Sequence, residues 1–99
     1  QLKMPGGHVY IMANRYRGAI YIGVTAHLPA RIFQHRTGVG ADFCKRYGLN
    51  RLVYAEPHND IRNAIAREKA MKKWNRAWKF RLIEERNPDW IDLFDALND

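Results

Sequence analysis

Two short stretches near the start of the chain alternate apolar with polar or small positions. In His8–Met12, Val9 and Ile11 alternate with His8, Tyr10 and Met12; in Ala19–Val24, Ile20, Ile22 and Val24 alternate with Ala19, Tyr21 and Gly23. A period of two in segments rich in β-branched and aromatic residues predicts strands. The segment from Asn14 to Gly18 has turn chemistry at both ends, which makes the pair a hairpin. In that hairpin Val9, Ile11, Ile20 and Ile22 share one sheet face, and Tyr10 and Tyr21 share the other.

Further along, the pattern turns helical. Pro29 suits the first turn of a helix that runs to about Arg36 and stops near Gly38. Asp42–Tyr47 predicts a short helix closed by Gly48, and Arg51–Glu56 a third strand ended by Pro57. Asn59 or Asp60 caps a long helix from Ile61 to about Trp74. Arg76–Arg86 predicts another helix, with Trp78, Leu82 and either Phe80 or Ile83 directed to the core. Asn87-Pro88 breaks it, and Asp89 is placed to cap a last helix, Trp90–Leu97. The order is ββα(α)βαα(α), a small sheet with helices against it. No repeat, low-complexity stretch or linker divides it.

Charge changes the picture. The 99 residues carry 17 Lys and Arg against 10 Asp and Glu, a formal +7. Asp89, Asp92, Asp95 and Asp99 all lie at the C-terminal end, so residues 1–86 alone reach +11. A small domain this basic points to a polyanion, most commonly nucleic acid. Cys44 is the single cysteine, which excludes an internal disulfide and a thiolate zinc cluster. No apolar run approaches the length of a spanning helix, and no secretory leader opens the chain. These features lead us to expect an intracellular, cytoplasmic protein without membrane contact.

Candidate chemistry begins on the helix from Ile61. At about 100° per residue, Glu68 falls within the stripe of Ile61, Ala64, Ile65 and Met71 that should face the core. A carboxylate there needs a partner. Two readings remain open: an i,i+4 ion pair with Lys72, or a ligand to a hard divalent cation. Arg31 and His35 are also i,i+4 neighbours. They form either a solvated basic face or a phosphate fork beside a proton carrier. Tyr10 and Tyr21 are core aromatics or, if nearby cations depress their pKa, hydroxyls able to act on water. Arg15, Tyr16 and Arg17 on the hairpin turn could contact a nucleic-acid strand. His8, His27 and His58 lack metal spacing, and Trp78 and Trp90 read as core.

Together these residues resemble the GIY-YIG nuclease superfamily. Val9-Tyr10 followed by Tyr21-Ile22-Gly23 is similar to its paired signature. The likeness continues through Arg31, His35, Glu68 within Ala66–Lys69, Trp74 and the closing Asn87–Trp90. It is closest to the small stand-alone bacterial, YhbQ-like group. The resemblance implies an α/β (α+β) fold, with a three-stranded, mainly antiparallel sheet flanked by helices. It also implies a single domain over 1–99, with its core at about 7–86 and a short C-terminal helix at 89–97.

The implied activity is metal-dependent hydrolysis of DNA phosphodiesters, by an endonuclease or nickase using one Mg²⁺ or Mn²⁺. Glu68 is then the metal ligand and Arg31 the phosphate clamp. Tyr21 activates or positions water, Tyr10 supports the site, and His35 moves a proton or places the water. Arg62, Arg67, Lys69 and Lys73 make a docking surface for the DNA backbone, joined by Lys72 and by Arg15 and Arg17 on the turn. His8 replaces the first glycine of the signature, and Val24 replaces a lysine found in some members. Asn75 is a candidate only by helical phase.

The expected substrate is structured, damaged or single-stranded DNA in a repair setting, with a partner protein supplying specificity. The alternative is a non-catalytic nucleic-acid-binding module with the same fold.

Overall fold

The computed structural model describes residues 5–98, so the two ends of the expected 1–99 domain, 1–4 and 99, lie outside the described residues. Its strands are β1 (Gly7–Ala13), β2 (Ile20–Thr25) and β3 (Arg51–His58). The helices are α1 (Leu28–Arg36), α2 (Asp42–Tyr47), α3 (Ile61–Lys72) and α4 (Arg76–Arg86), and a 3-10 segment spans Phe94–Asn98. The sheet order is β2-β1-β3 and both pairings are antiparallel. The α+β architecture follows the pattern of the sequence closely.

Register decides which side chains meet. Val9 pairs with Val24, Ile11 with Ile22 and Ala13 with Ile20, so one sheet face is a continuous apolar surface. It is covered by Ala64 and Met71 of α3, Ile83 of α4 and Trp90. The opposite face carries Tyr10, Met12 and Leu52, which pack with Leu28 and Ile32 of α1, Cys44 of α2 and Leu49. A bulge at Ile11/Met12 lets Val53 and Tyr54 both join the first core.

The structure departs from the sequence expectation at three places. β3 runs through Pro57 to His58 rather than ending before the proline. Among the described residues it is an edge strand with a neighbour on one side only, where a missing N–H is tolerated. Trp78 is 52% exposed, so it is not a core residue; Ile83 takes that role.

The last helix is also shorter than expected. Trp90 sits at φ 56°, in the left-handed region, and only Phe94–Asn98 is helical. Burial explains the strained backbone. Trp90 is fully enclosed, stands edge-on to Phe80 at 4.8 Å and donates Nε1–H to Glu84 at 2.7 Å. Truncating a buried tryptophan typically costs about 3–5 kcal/mol, more than a strained φ. Asn87 holds the turn, donating to the carbonyls of Val53 and Ile91. The core therefore extends past Arg86, beyond the expected boundary.

Candidate active site

Tyr10 projects from the central strand toward α1, whose buried face is Leu28, Ile32 and His35. Its hydroxyl and His35 Nε2 share a hydrogen bond of 2.8 Å, with Tyr10 2% and His35 4% exposed. Two glycines make room for this pair. Gly23 lies opposite Tyr10 across the ladder, where a Cβ would come within 2.4 Å of the Tyr10 hydroxyl. A Cβ at Gly40 would stand 2.3 Å from His35 Nδ1, a buried nitrogen without a hydrogen-bond partner.

Burial sets the protonation of both rings. It lowers the His35 pKa, with the Arg31 guanidinium adding to the effect, so the imidazole is neutral at pH 7. It raises the Tyr10 pKa well above the usual phenol value, reinforced by Tyr21 and opposed by Arg31. At Tyr10 desolvation outweighs the pull of Arg31. Tyr10 keeps its proton.

Tyr21 stands at the open edge of the sheet, half-buried on β2. Its ring centroid is 6.4 Å from that of Tyr10 and 5.6 Å from that of His35, so three rings form one cluster. Beside Tyr21 a groove of about 300 Å³ is lined by Ile20, Ile22, Phe43, Lys72 and Lys79. Lys72 Nζ lies 2.9 Å from Glu68 Oε2, which brings the carboxylate to the same corner.

Glu68 occupies the inward stripe of α3 between Ala64 and Met71, and only 12% of its side chain is exposed. The ion-pair geometry is thus realised in a sheltered position. Ile65, also expected in that stripe, is 37% exposed. Arg31 is exposed one turn before His35, with no carboxylate partner among the described residues. Among those residues no three His, Cys, Asp or Glu side chains gather around a point. One sheltered carboxylate suits a hard divalent ion that keeps waters and takes a substrate phosphate oxygen.

The expected docking cations divide into two groups. Arg17 is held by Glu84 through two bonds of 2.8 and 2.7 Å, Arg62 by Asp60 and Arg67 by Glu56. Arg17 and Trp90 hold the Glu84 pKa down at about 2. With Tyr16 edge-on to Trp90 and Arg76 donating to the Gly18 carbonyl, the hairpin turn is strapped to α4. A groove of about 490 Å³ lies there with Arg17, Phe80 and Glu84, away from the tyrosine cluster. Arg15, Lys69 and Lys73 are exposed and carry no ion pair among the described residues.

Glu56 joins a second, partly buried network. Burial opposes its charge, yet bonds from Arg67, Tyr54 and His58 hold its pKa below the usual carboxylate range. Burial also pushes the Cys44 thiol up to about 11, a poor nucleophile near neutral pH.

Asn75 has a structural role. It is the N-cap of α4, its side chain accepting from the Trp78 amide at 2.9 Å. Sequence reasoning passed over Phe43, which stacks on Tyr21 with centroids 6.3 Å apart and planes at 28°. The i,i+4 spacing of Phe43 and Tyr47 was the available signal.

The rings of Tyr10, Tyr21 and His35 thus cluster on a helix-framed three-stranded sheet, beside the corner where Lys72 meets Glu68. Residues 6–81 match the GIY-YIG catalytic domain, and the chain belongs to that nuclease family. Its relatives are small bacterial proteins. A UPF0213 protein of Staphylococcus haemolyticus is 35% identical over 79 residues, 80% of this chain and 95% of the relative. One from Pectobacterium carotovorum is 31% identical over 96 residues, 97% of this chain and 95% of its own. A third, from Staphylococcus aureus, is 36% identical over 69 residues, 70% of this chain and 84% of its own. No solved structure gives a significant match. Among the described residues no helix is long and apolar enough to cross a membrane.

Proposed function

We propose that this protein is a DNA endonuclease or nickase that hydrolyses phosphodiester bonds with one divalent cation, Mg²⁺ or Mn²⁺. One observation carries the reading: Tyr21, the Tyr10–His35 pair and the Glu68–Lys72 pair converge on one open edge of the sheet. A structural role alone does not call for a sheltered carboxylate beside an exposed groove.

Glu68 would hold the cation, which supplies charge for the phosphoryl oxygens and the leaving group. The planar guanidinium of Arg31, without a carboxylate partner among the described residues, grips a pair of non-bridging phosphate oxygens. Tyr21 is the hydroxyl open to solvent, so it orients the attacking water. Tyr10, buried and protonated, positions its neighbours through the bond to neutral His35. Lys72, paired with Glu68 in this structure, would face the phosphate when Glu68 holds the cation. Lys69, Lys73 and Arg15 attract the DNA backbone, while the ion-paired Arg17, Arg62 and Arg67 contribute field rather than free forks. We assign the protein to the cytoplasm and to repair of structured, damaged or single-stranded DNA, with a partner protein supplying further specificity. Residues 1–99 act as one domain.

Plasmid nicking tests this. Activity is expected with Mg²⁺ or Mn²⁺, is lost in EDTA, and falls sharply in Glu68→Gln and Tyr21→Phe. Unchanged nicking by Glu68→Gln would overturn the assignment. The Glu68–Lys72 pair favours a second reading, a module that binds DNA without cutting it. Salt-sensitive binding with no cleavage of any substrate would establish that one.

A further inference from the structure

Helix α2 spends its residues unevenly. Cys44 anchors it in the core, while Phe43 and Tyr47 are 45% and 49% exposed. The two rings are i,i+4 neighbours with centroids 4.8 Å apart, and Phe43 continues onto Tyr21. Aromatic surface thus runs from the catalytic edge outward along α2. Folding gains little from large apolar rings left in water.

The charge around these rings points to what covers them. Lys72 and Lys79 line the groove between Tyr21 and Phe43. On the other side of Phe43, Arg46 and Tyr47 line a second groove of about 250 Å³, where Asp42 is the one carboxylate. Cations beside exposed rings suit a strand whose phosphates meet the former and whose bases stack on the latter. A duplex keeps its base faces stacked on one another, so it offers nothing to Phe43. A second copy of this chain would bring one +7 molecule against another.

We propose that Phe43 and Tyr47 form a stacking platform for unpaired bases next to the bond being cut, making single-stranded DNA the substrate class. The proposal rests on the nuclease reading for the position of the scissile phosphate. Phe43 and Tyr47 determine specificity and take no part in the chemistry.

Binding of the full chain in EDTA, at fixed salt, separates base stacking from phosphate attraction. The probes are a short single strand, the same strand with abasic residues, and the corresponding duplex. A stacked base is expected to tighten binding roughly 5- to 150-fold over its abasic counterpart. Phe43→Leu and Tyr47→Leu should narrow that ratio at least about fivefold and leave abasic affinity unchanged, and Phe43→Trp should restore it.

Equal binding of base-bearing and abasic strands by the unaltered protein would overturn the platform. So would equal weakening of both strands in the leucine variants, or tighter binding of the duplex than of the single strand. A dimer in solution that Phe43→Leu dissociates would overturn it in favour of self-docking. Because binding is read without metal, a failure of cleavage alone would strike the nuclease reading and leave the ratio standing. Intact cleavage beside a ratio of one would strike the platform alone.

Discussion

Tyr10 and His35 meet through a 2.8 Å hydrogen bond that is possible only because Gly23 has no side chain. The phenol ring lies over the glycine, so a methyl group there would fall within 2.4 Å of the hydroxyl oxygen. Gly23→Ala must therefore push Tyr10 out of line. We expect a stability loss of about 1–3 kcal/mol, typical of overpacking. Nicking should fall by more than the fraction unfolded explains, because His35 loses its partner. Thermal melts and nicking assays on the same preparation check this.

Glu68 separates stability from activity. Its contact with Lys72 is an i,i+4 pair with half of the lysine side chain exposed, so Glu68→Gln should cost only about 0.3–0.5 kcal/mol. Metal-dependent cleavage should drop by roughly two orders of magnitude or more. Added metal should slightly raise the melting temperature of the unaltered protein and leave that of Glu68→Gln unchanged. Equal metal stabilisation of both proteins would show that the carboxylate holds no cation.

His35 predicts a pH effect whose sign follows from burial. Its folded pKa lies below the ordinary 6.5, so the unfolded chain takes up the proton more readily. His35 therefore contributes stability above about pH 6.5 that is lost as pH falls through the folded value. His8 is lowered too, by burial and then by His58, so the bulk melt mixes both groups. The imidazole proton signals resolve them, and His35 should titrate below 6.5 and shift in Tyr10→Phe. A His35 midpoint at or above 6.5 would contradict the buried pair.

Asn75→Ala should act on the fold alone. Loss of an N-cap typically costs about 1 kcal/mol, which lowers the melting temperature of a domain this size by about 4–8 °C. Cleavage per folded molecule, measured well below the melt, should be unchanged. A selective loss of cleavage would return Asn75 to the active site.

The basic residues should separate by salt dependence. Lys69→Ala and Lys73→Ala remove exposed cations and should each reduce the slope of log affinity against log salt by roughly 0.7 on a single strand. Arg17→Ala removes a charge already satisfied by Glu84, so it should lower stability and leave the slope almost unchanged. Titrations at several salt concentrations distinguish the two.

Much of this site is legible along the chain because its logic is local. Alternation in β1 and β2 places Tyr10 and Tyr21 on one face, since strand side chains repeat every second residue. Helical phase places Glu68 toward the core and Arg31 beside His35 for the same kind of reason. What escaped depends on distant partners. The hairpin turn reads as free basic chain until Glu84 and Trp90, on and after α4, take up Arg17 and Tyr16. Trp78 reads as core by phase, but the sheet has room for only one face of α4, and Ile83 fills it.

The chain's own pattern settles the elements, the faces and the net charge, all of which depend on neighbours a few residues apart. Tertiary packing alone decides that Tyr10 bonds His35, that Gly23 and Gly40 are their spacers, and that Trp90 stops a helix its local sequence would continue. These outcomes turn on volumes and desolvation between segments far apart in sequence. No period along the chain records how much space a distant side chain leaves.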